Sequence, residues 1–148
     1  MRRPLAPLTA AAALAAAGCG GGGGSGDALA PVCQEGADAI VQALATAPEP
    51  VTLSDGATPI SECVTAASTS DADLQSIGLI LSSAGEQLAR DGDAVALGYL
   101  VGAARRGSEA TAGIALELVR RLESTARQVP AGARAALREG LAAGEATG

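Results

Sequence analysis

Leu74, Ile77, Leu81, Ala84 and Leu88 recur at alternating spacings of three and four residues, the pattern of a helix with one apolar seam. Such a seam holds only against a facing apolar surface, so this chain has to fold as packed helices. Ser70 with Asp73 three residues on marks the helix start as a cap. Asp91-Gly92-Asp93 marks its end, with Gly92 free to take a positive φ and Asp93 free to cap the next helix. Leu79 and Ile80 widen the seam and predict contact with more than one neighbour. Ala94 to Ala104 then carries no charge. A bilayer span needs about 20 such residues, so this run predicts a buried helix in a bundle. The three-residue connection sets it antiparallel to the helix before it.

The remaining helices are shorter. Val32, Cys33, Ala37, Ile40, Val41 and Leu44 share a stripe that predicts a helix over about 32–47, ended by Pro48 and Pro50. Residues 49–58 read as an irregular connection. Thr58 as N-cap and Pro59 at the first helical position open a second helix with Ile60, Cys63, Val64 and Ala67 on one face. Arg105-Arg106-Gly107-Ser108 reads either as a kink or as a break, and Ser108 followed by Glu109 favours a fresh helix start. That helix carries Ile114, Leu118, Leu122 and Ala126 on one face with Leu116 and Val119 alongside, and on its polar side pairs Glu117 with Arg120 and Arg121, and Glu123 with Arg127. Pro130 closes it. In 131–148 only Ala133, Leu137 and Leu141 form an apolar stripe, and residues 144–148 are expected to fray. The fold class is therefore all-α: a small antiparallel bundle of about four to five helices in one domain, 27–148.

Gly98 and Gly102 stand four apart, with Ala94 a turn before. Small residues on one face let another helix approach closely, and the expected partner is the third helix, where Gly78 and Gly85 sit. Close packing would offset the roughly 0.5–1 kcal/mol that each glycine costs against alanine in a helix. A coding bias toward alanine, glycine and arginine is the other reading.

Composition excludes most enzyme chemistry. The chain has no histidine, lysine, tryptophan or phenylalanine, and Tyr99 is its one aromatic residue. Imidazole acid–base work, Schiff bases and phosphate-cradling lysines are thereby absent. Asp71 with Asp73, and Asp91 with Asp93, fall at helix starts where capping accounts for them, and neither begins a calcium loop. No G-x-S-x-G or phosphate-loop pattern occurs. No catalytic residue, metal site or cofactor is expected. A net charge of −6 opposes binding to nucleic acid or to anionic lipid through a basic patch. Tyr99, Arg105 and Arg106 are the candidate interface residues, since tyrosine and arginine on a rim commonly anchor protein contacts; a buried ring beside two solvated arginines is the plainer alternative.

The first 18 residues read as a signal peptide: Arg2 and Arg3, then an apolar stretch from Leu5 to Ala17 too short to span a bilayer. Ala16, Ala17 and Gly18 directly precede Cys19. The arrangement resembles the lipobox of bacterial lipoproteins, with Ala16 where that family prefers leucine. The resemblance covers residues 1–20 and implies cleavage before Cys19, its acylation, and a lipid anchor at the extracytoplasmic face of the cell membrane. Residues 20–26, glycine with one serine, read as a flexible tether. Export also explains the other two cysteines. Cys33 and Cys63 can close one intramolecular disulfide in an oxidising compartment, whereas their spacing fits neither a metal site nor a C-x-x-C redox pair.

Two functions of different class follow. One is a non-enzymatic envelope lipoprotein that contacts another, unidentified envelope protein or serves a structural role. The other is an extracytoplasmic binding module for a small apolar ligand. A filled bundle with an exposed apolar strip favours the first; a cavity with convergent polar groups favours the second.

Overall fold

The computed structural model describes residues 29–148. The leader, Cys19 and the glycine tether lie outside the described residues. Six α-helices are present among them: α1 (Ala37–Ala43), α2 (Ile60–Ala67), α3 (Asp71–Asp91), α4 (Ala94–Glu109), α5 (Leu116–Ala126) and α6 (Arg134–Thr147). The domain is all-α, with one disulfide, Cys33–Cys63.

The stripe expected over 32–47 is broken. Gly36 takes φ of 100°, so Pro31–Gln34 forms a separate 3-10 turn, α1 starts at Ala37, and Leu44–Thr46 tightens into another 3-10 turn. The apolar positions nevertheless keep one inward side, because Cys33, Ile40 and Leu44 are all buried. Cys33 in the first turn bonds Cys63 in α2 across a Cα–Cα distance of 5.6 Å. Between them the irregular segment supplies core: Val51 and Leu53 are buried although neither belongs to a strand. Asp55 holds its bend, accepting from the backbone N–H groups of Ala57 (3.0 Å) and Thr58 (2.9 Å) and from the Thr58 hydroxyl (2.5 Å). Thr58 is therefore committed to Asp55, and Pro59 takes the N-cap position of α2 that was expected of Thr58.

The third helix forms as its seam requires. Ser70 caps it by accepting from the Asp73 N–H, and Ile77, Leu81, Ala84 and Leu88 are buried. Gly92, at φ of 76°, closes it with the Asp93 N–H bonded back to the Leu88 carbonyl at 3.0 Å, the hydrogen-bond pattern of a Schellman end. Ile80 packs against the core, but Leu79 points outward and is 68% exposed, so only one of the two widens the seam.

Asp93 caps α4 through the Ala96 N–H at 3.0 Å. This is the central helix, with Leu97, Tyr99, Leu100, Ala103 and Ala104 fully buried. It runs without a break through Arg105–Ser108. Ser108 starts no new helix; its hydroxyl bonds back to the Arg105 carbonyl at 2.7 Å, and Gly107 lies directly against the Ser61 carbonyl and Val64 of α2. The reversal comes later, where Ala112 (φ 51°) and Gly113 (φ 93°) turn the chain into α5. Ile114 precedes that helix and Leu116 opens it, and both are exposed, contrary to their expected place at the apolar face, while Leu118, Val119, Leu122 and Ala126 are buried as the stripe requires. Of the expected ion pairs, Glu117 with Arg121 forms at 3.2 Å, whereas Glu123 pairs with Arg105 of α4 and not with Arg127.

The C-terminal segment departs furthest from expectation. Residues 134–147 form a full helix, Gly144 and Gly148 are buried, and α6 lies along α4. Val95 faces Gly140, Tyr99 faces Gly144 and Ala103 faces Gly148, so the two helices run parallel, with α5 as the antiparallel return between them.

Candidate functional site

The α4–α6 contact decides which surfaces remain for function. A Cβ added to Gly98 would fall on the Leu137 carbonyl, and one added to Gly102 on the Leu141 carbonyl. Reciprocally, a Cβ on Gly140 would strike the Val95 carbonyl and one on Gly144 the Tyr99 carbonyl. Four glycines thus bring two backbones together with no side chain between them. The crossing expected of Gly98 and Gly102 exists, but its partner is α6 and not α3. Gly78 has nothing within 4 Å of its missing Cβ, and Gly85 meets only the side chains of Leu122, Leu100 and Leu97.

Tyr99 is fully buried and forms no rim. Its hydroxyl accepts from the Val51 N–H at 2.9 Å and lies 2.9 Å from the Thr147 hydroxyl. One buried phenol therefore links the irregular loop, the central helix and the last turn of α6. Arg105 and Arg106 are likewise engaged within the chain. Arg105 donates to Glu123 of α5 at 2.6 and 3.0 Å and to Glu145 of α6 at 2.9 Å. The hydrogen bond to Glu145 raises the Arg105 pKa against partial burial, and Glu123 adds to the effect. Arg106 donates to the carbonyls of Glu145 (3.1 Å) and Ala146 (2.5 Å), placing a cation at the negative end of the α6 dipole.

Two exterior features remain as candidate sites. One is an apolar face between α3 and the start of α5. Among the described residues the exposed large hydrophobic side chains are Leu79, Ile114 and Leu116, at 68%, 56% and 46% exposure. Leu79 and Ile114 flank a groove of about 380 Å³ floored by Leu74, Gly78 and Leu118. Its rim is Asp71 and the exposed Glu117–Arg121 pair. No residue count in the sequence separates these three from core positions; their register relative to the helix ends does.

The other is a groove of about 490 Å³ over α4 between α5 and α6, with Val101, Ala126, Leu137 and Leu141 among its lining. Arg127 and Arg134 reach it from one side and the Arg105–Glu123 pair from the other. A third groove, about 590 Å³, sits at the α3–α4 turn. There Glu86 faces Arg90 at 3.9 Å and Asp93 is occupied as a cap, so its charges are already matched.

Among the described residues no group of three or more histidine, cysteine, aspartate or glutamate side chains could hold a metal ion. No described helix is long and apolar enough to cross a membrane. No family model matches the chain, and neither a curated protein nor a solved structure matches it.

Proposed function

We propose that this chain is a membrane-anchored envelope lipoprotein with a non-enzymatic role, held by an acyl group on Cys19 and docking onto another protein through its α3–α5 face. The observation that carries the docking is the grouping of the exposed Leu79 and Ile114 around one groove on the outside of the bundle. Exposed large aliphatic side chains are ordinary singly; gathered around a groove with a charged rim they mark a contact surface. Gly78 supports the same face. It lies in the middle of α3, where glycine costs about 1 kcal/mol against alanine, and no atom of the described residues lies within 4 Å of where its Cβ would be. A partner backbone approaching there would give it a reason. Export is supported by the leader and by the Cys33–Cys63 bond, which suits an oxidising compartment.

The test separates anchor from surface. Cys19→Ser should abolish labelling by a fatty-acid analogue and release the protein from membranes. A photo-crosslinking side chain at position 79 should trap one discrete partner in intact cells, and the same group at position 120 should not. Leu79→Asp should lose the partner while keeping the thermal midpoint. Retained labelling of the serine variant would overturn the anchor, and equal trapping from positions 79 and 120 would overturn the docking face.

A further inference from the structure

The groove over α4 combines features that the α3–α5 face lacks. Along α4 it extends from Gly98 to Arg105, about 10 Å of helix at 1.5 Å per residue. Because α5 returns antiparallel, its Arg127 falls at the Gly98 end and its Glu123 at the Arg105 end. Arg134 opens α6, which runs parallel to α4, so it also falls at the Gly98 end. Arg127 and Arg134, two of the five described arginines that form no ion pair, therefore sit together at one end of an aliphatic trough. At the other end Arg105 is already neutralised by Glu123 and Glu145. In a chain of net charge −6 this end is a local reversal of sign.

We propose that this groove binds a single-chain aliphatic carboxylate, its head on Arg127 and Arg134 and its chain along Val101, Ala126, Leu137 and Leu141. Two guanidinium groups match a carboxylate through paired, charge-assisted hydrogen bonds. The trough is lined by the sides of three helices whose backbone groups are bonded internally. A peptide laid in it would leave its own amides without partners, whereas a polymethylene chain asks for none. No aromatic side chain lines it, so a ring or a base has nothing to stack on. The volume of about 490 Å³ lies within the range of small-molecule sites. This site is separate from the α3–α5 face and does not rest on it.

Calorimetry on the full-length chain carrying Cys19→Ser, which removes the acylatable thiol, tests this with decanoate below its micelle concentration. Decanoate should bind at one site, decanol at least tenfold more weakly, and acetate undetectably. Arg127→Gln with Arg134→Gln should weaken decanoate to the level of decanol, leaving decanol binding and the thermal midpoint unchanged. Arg120→Gln and Leu79→Asp should change nothing. Amide shifts on adding decanoate should concentrate at Val101, Leu137 and Leu141. Equal affinity for decanoate and decanol, no saturable binding at millimolar decanoate, or shifts centred on Leu79 and Ile114 would each overturn the proposal.

Discussion

The hydroxyls of Tyr99 and Thr147 lie 2.9 Å apart across the α4–α6 contact, joining the one aromatic side chain to the last turn of the last helix. Forty-eight residues separate them. The bond ties a segment with few large apolar residues to the centre of the core, and the four glycines below it allow the approach.

Gly98→Ala should destabilise the domain despite the better helix propensity of alanine. Its methyl would meet the Leu137 carbonyl, with the Leu141 nitrogen at 2.8 Å, so α6 must move away. The cost should reach or exceed the ~1–3 kcal/mol typical of overpacking. Gly78→Ala, in open space on α3, should instead stabilise by up to about 1 kcal/mol. Urea midpoints of the two variants against wild type check both signs. An unchanged or raised midpoint for Gly98→Ala would rule out a close crossing.

Tyr99→Phe removes the acceptor of the Val51 N–H, a buried group. Leaving that donor unpaired should cost about 1–3 kcal/mol. Thr147→Val should cost less, since the Ala143 carbonyl that loses the threonine hydroxyl is exposed and can turn to water. The double variant should be less destabilised than the sum of the two, because both act on one hydrogen bond. Strict additivity in denaturant titrations would show that the two hydroxyls act separately.

Reducing Cys33–Cys63 opens a loop of sequence separation 30. Chain entropy assigns such a cross-link about 3.6 kcal/mol, which for a domain of this size corresponds to a midpoint lower by about 14 °C. Thermal melts with and without reductant, followed by circular dichroism, measure it. The helical signal at low temperature should survive reduction, because Ile40, Leu44 and Ile60 remain buried around the site.

Asp55 should titrate below the ordinary carboxylate value of 3.8. The Thr58 hydroxyl first, and then the Thr58 and Ala57 N–H groups, stabilise its charged form. A carboxylate whose folded pKa is depressed stabilises the fold above its unfolded pKa and loses that contribution as pH falls through the folded value. Asp55→Asn should therefore be less stable than wild type at pH 7, with the gap closing below about pH 4. A gap that persists at pH 2 would assign the effect to side-chain shape and not to charge.

Much of this architecture is local and legible in the chain. The α3 seam, the Ser70 and Asp93 caps and the Gly92 stop depend on residues within a turn or two of each other, which is why the periodicity and capping residues specify them. The disulfide follows from there being two cysteines beyond Cys19. The expectations of a leader over 1–18, an acylated Cys19 and a tether over 20–26 rest on the sequence alone.

Tertiary structure decided what the glycines meet. Hydrophobic periodicity weighs side chains, and α6 packs by backbone against backbone through Gly98, Gly102, Gly140 and Gly144, so its thin apolar stripe understates how firmly it is held. The charged partners of Arg105 lie 18 and 40 residues away, beyond any helical spacing, and the i,i+4 rule accordingly assigned Glu123 to the wrong arginine. Tyr99 could have faced either way on an uncharged helix. Only the arrival of α6 on one side and of Val51 on the other buried its ring and used its hydroxyl. Local patterns select helices because their hydrogen bonds close within four residues. Which faces meet is settled by long-range packing, and for glycine that packing leaves no apolar pattern in the chain.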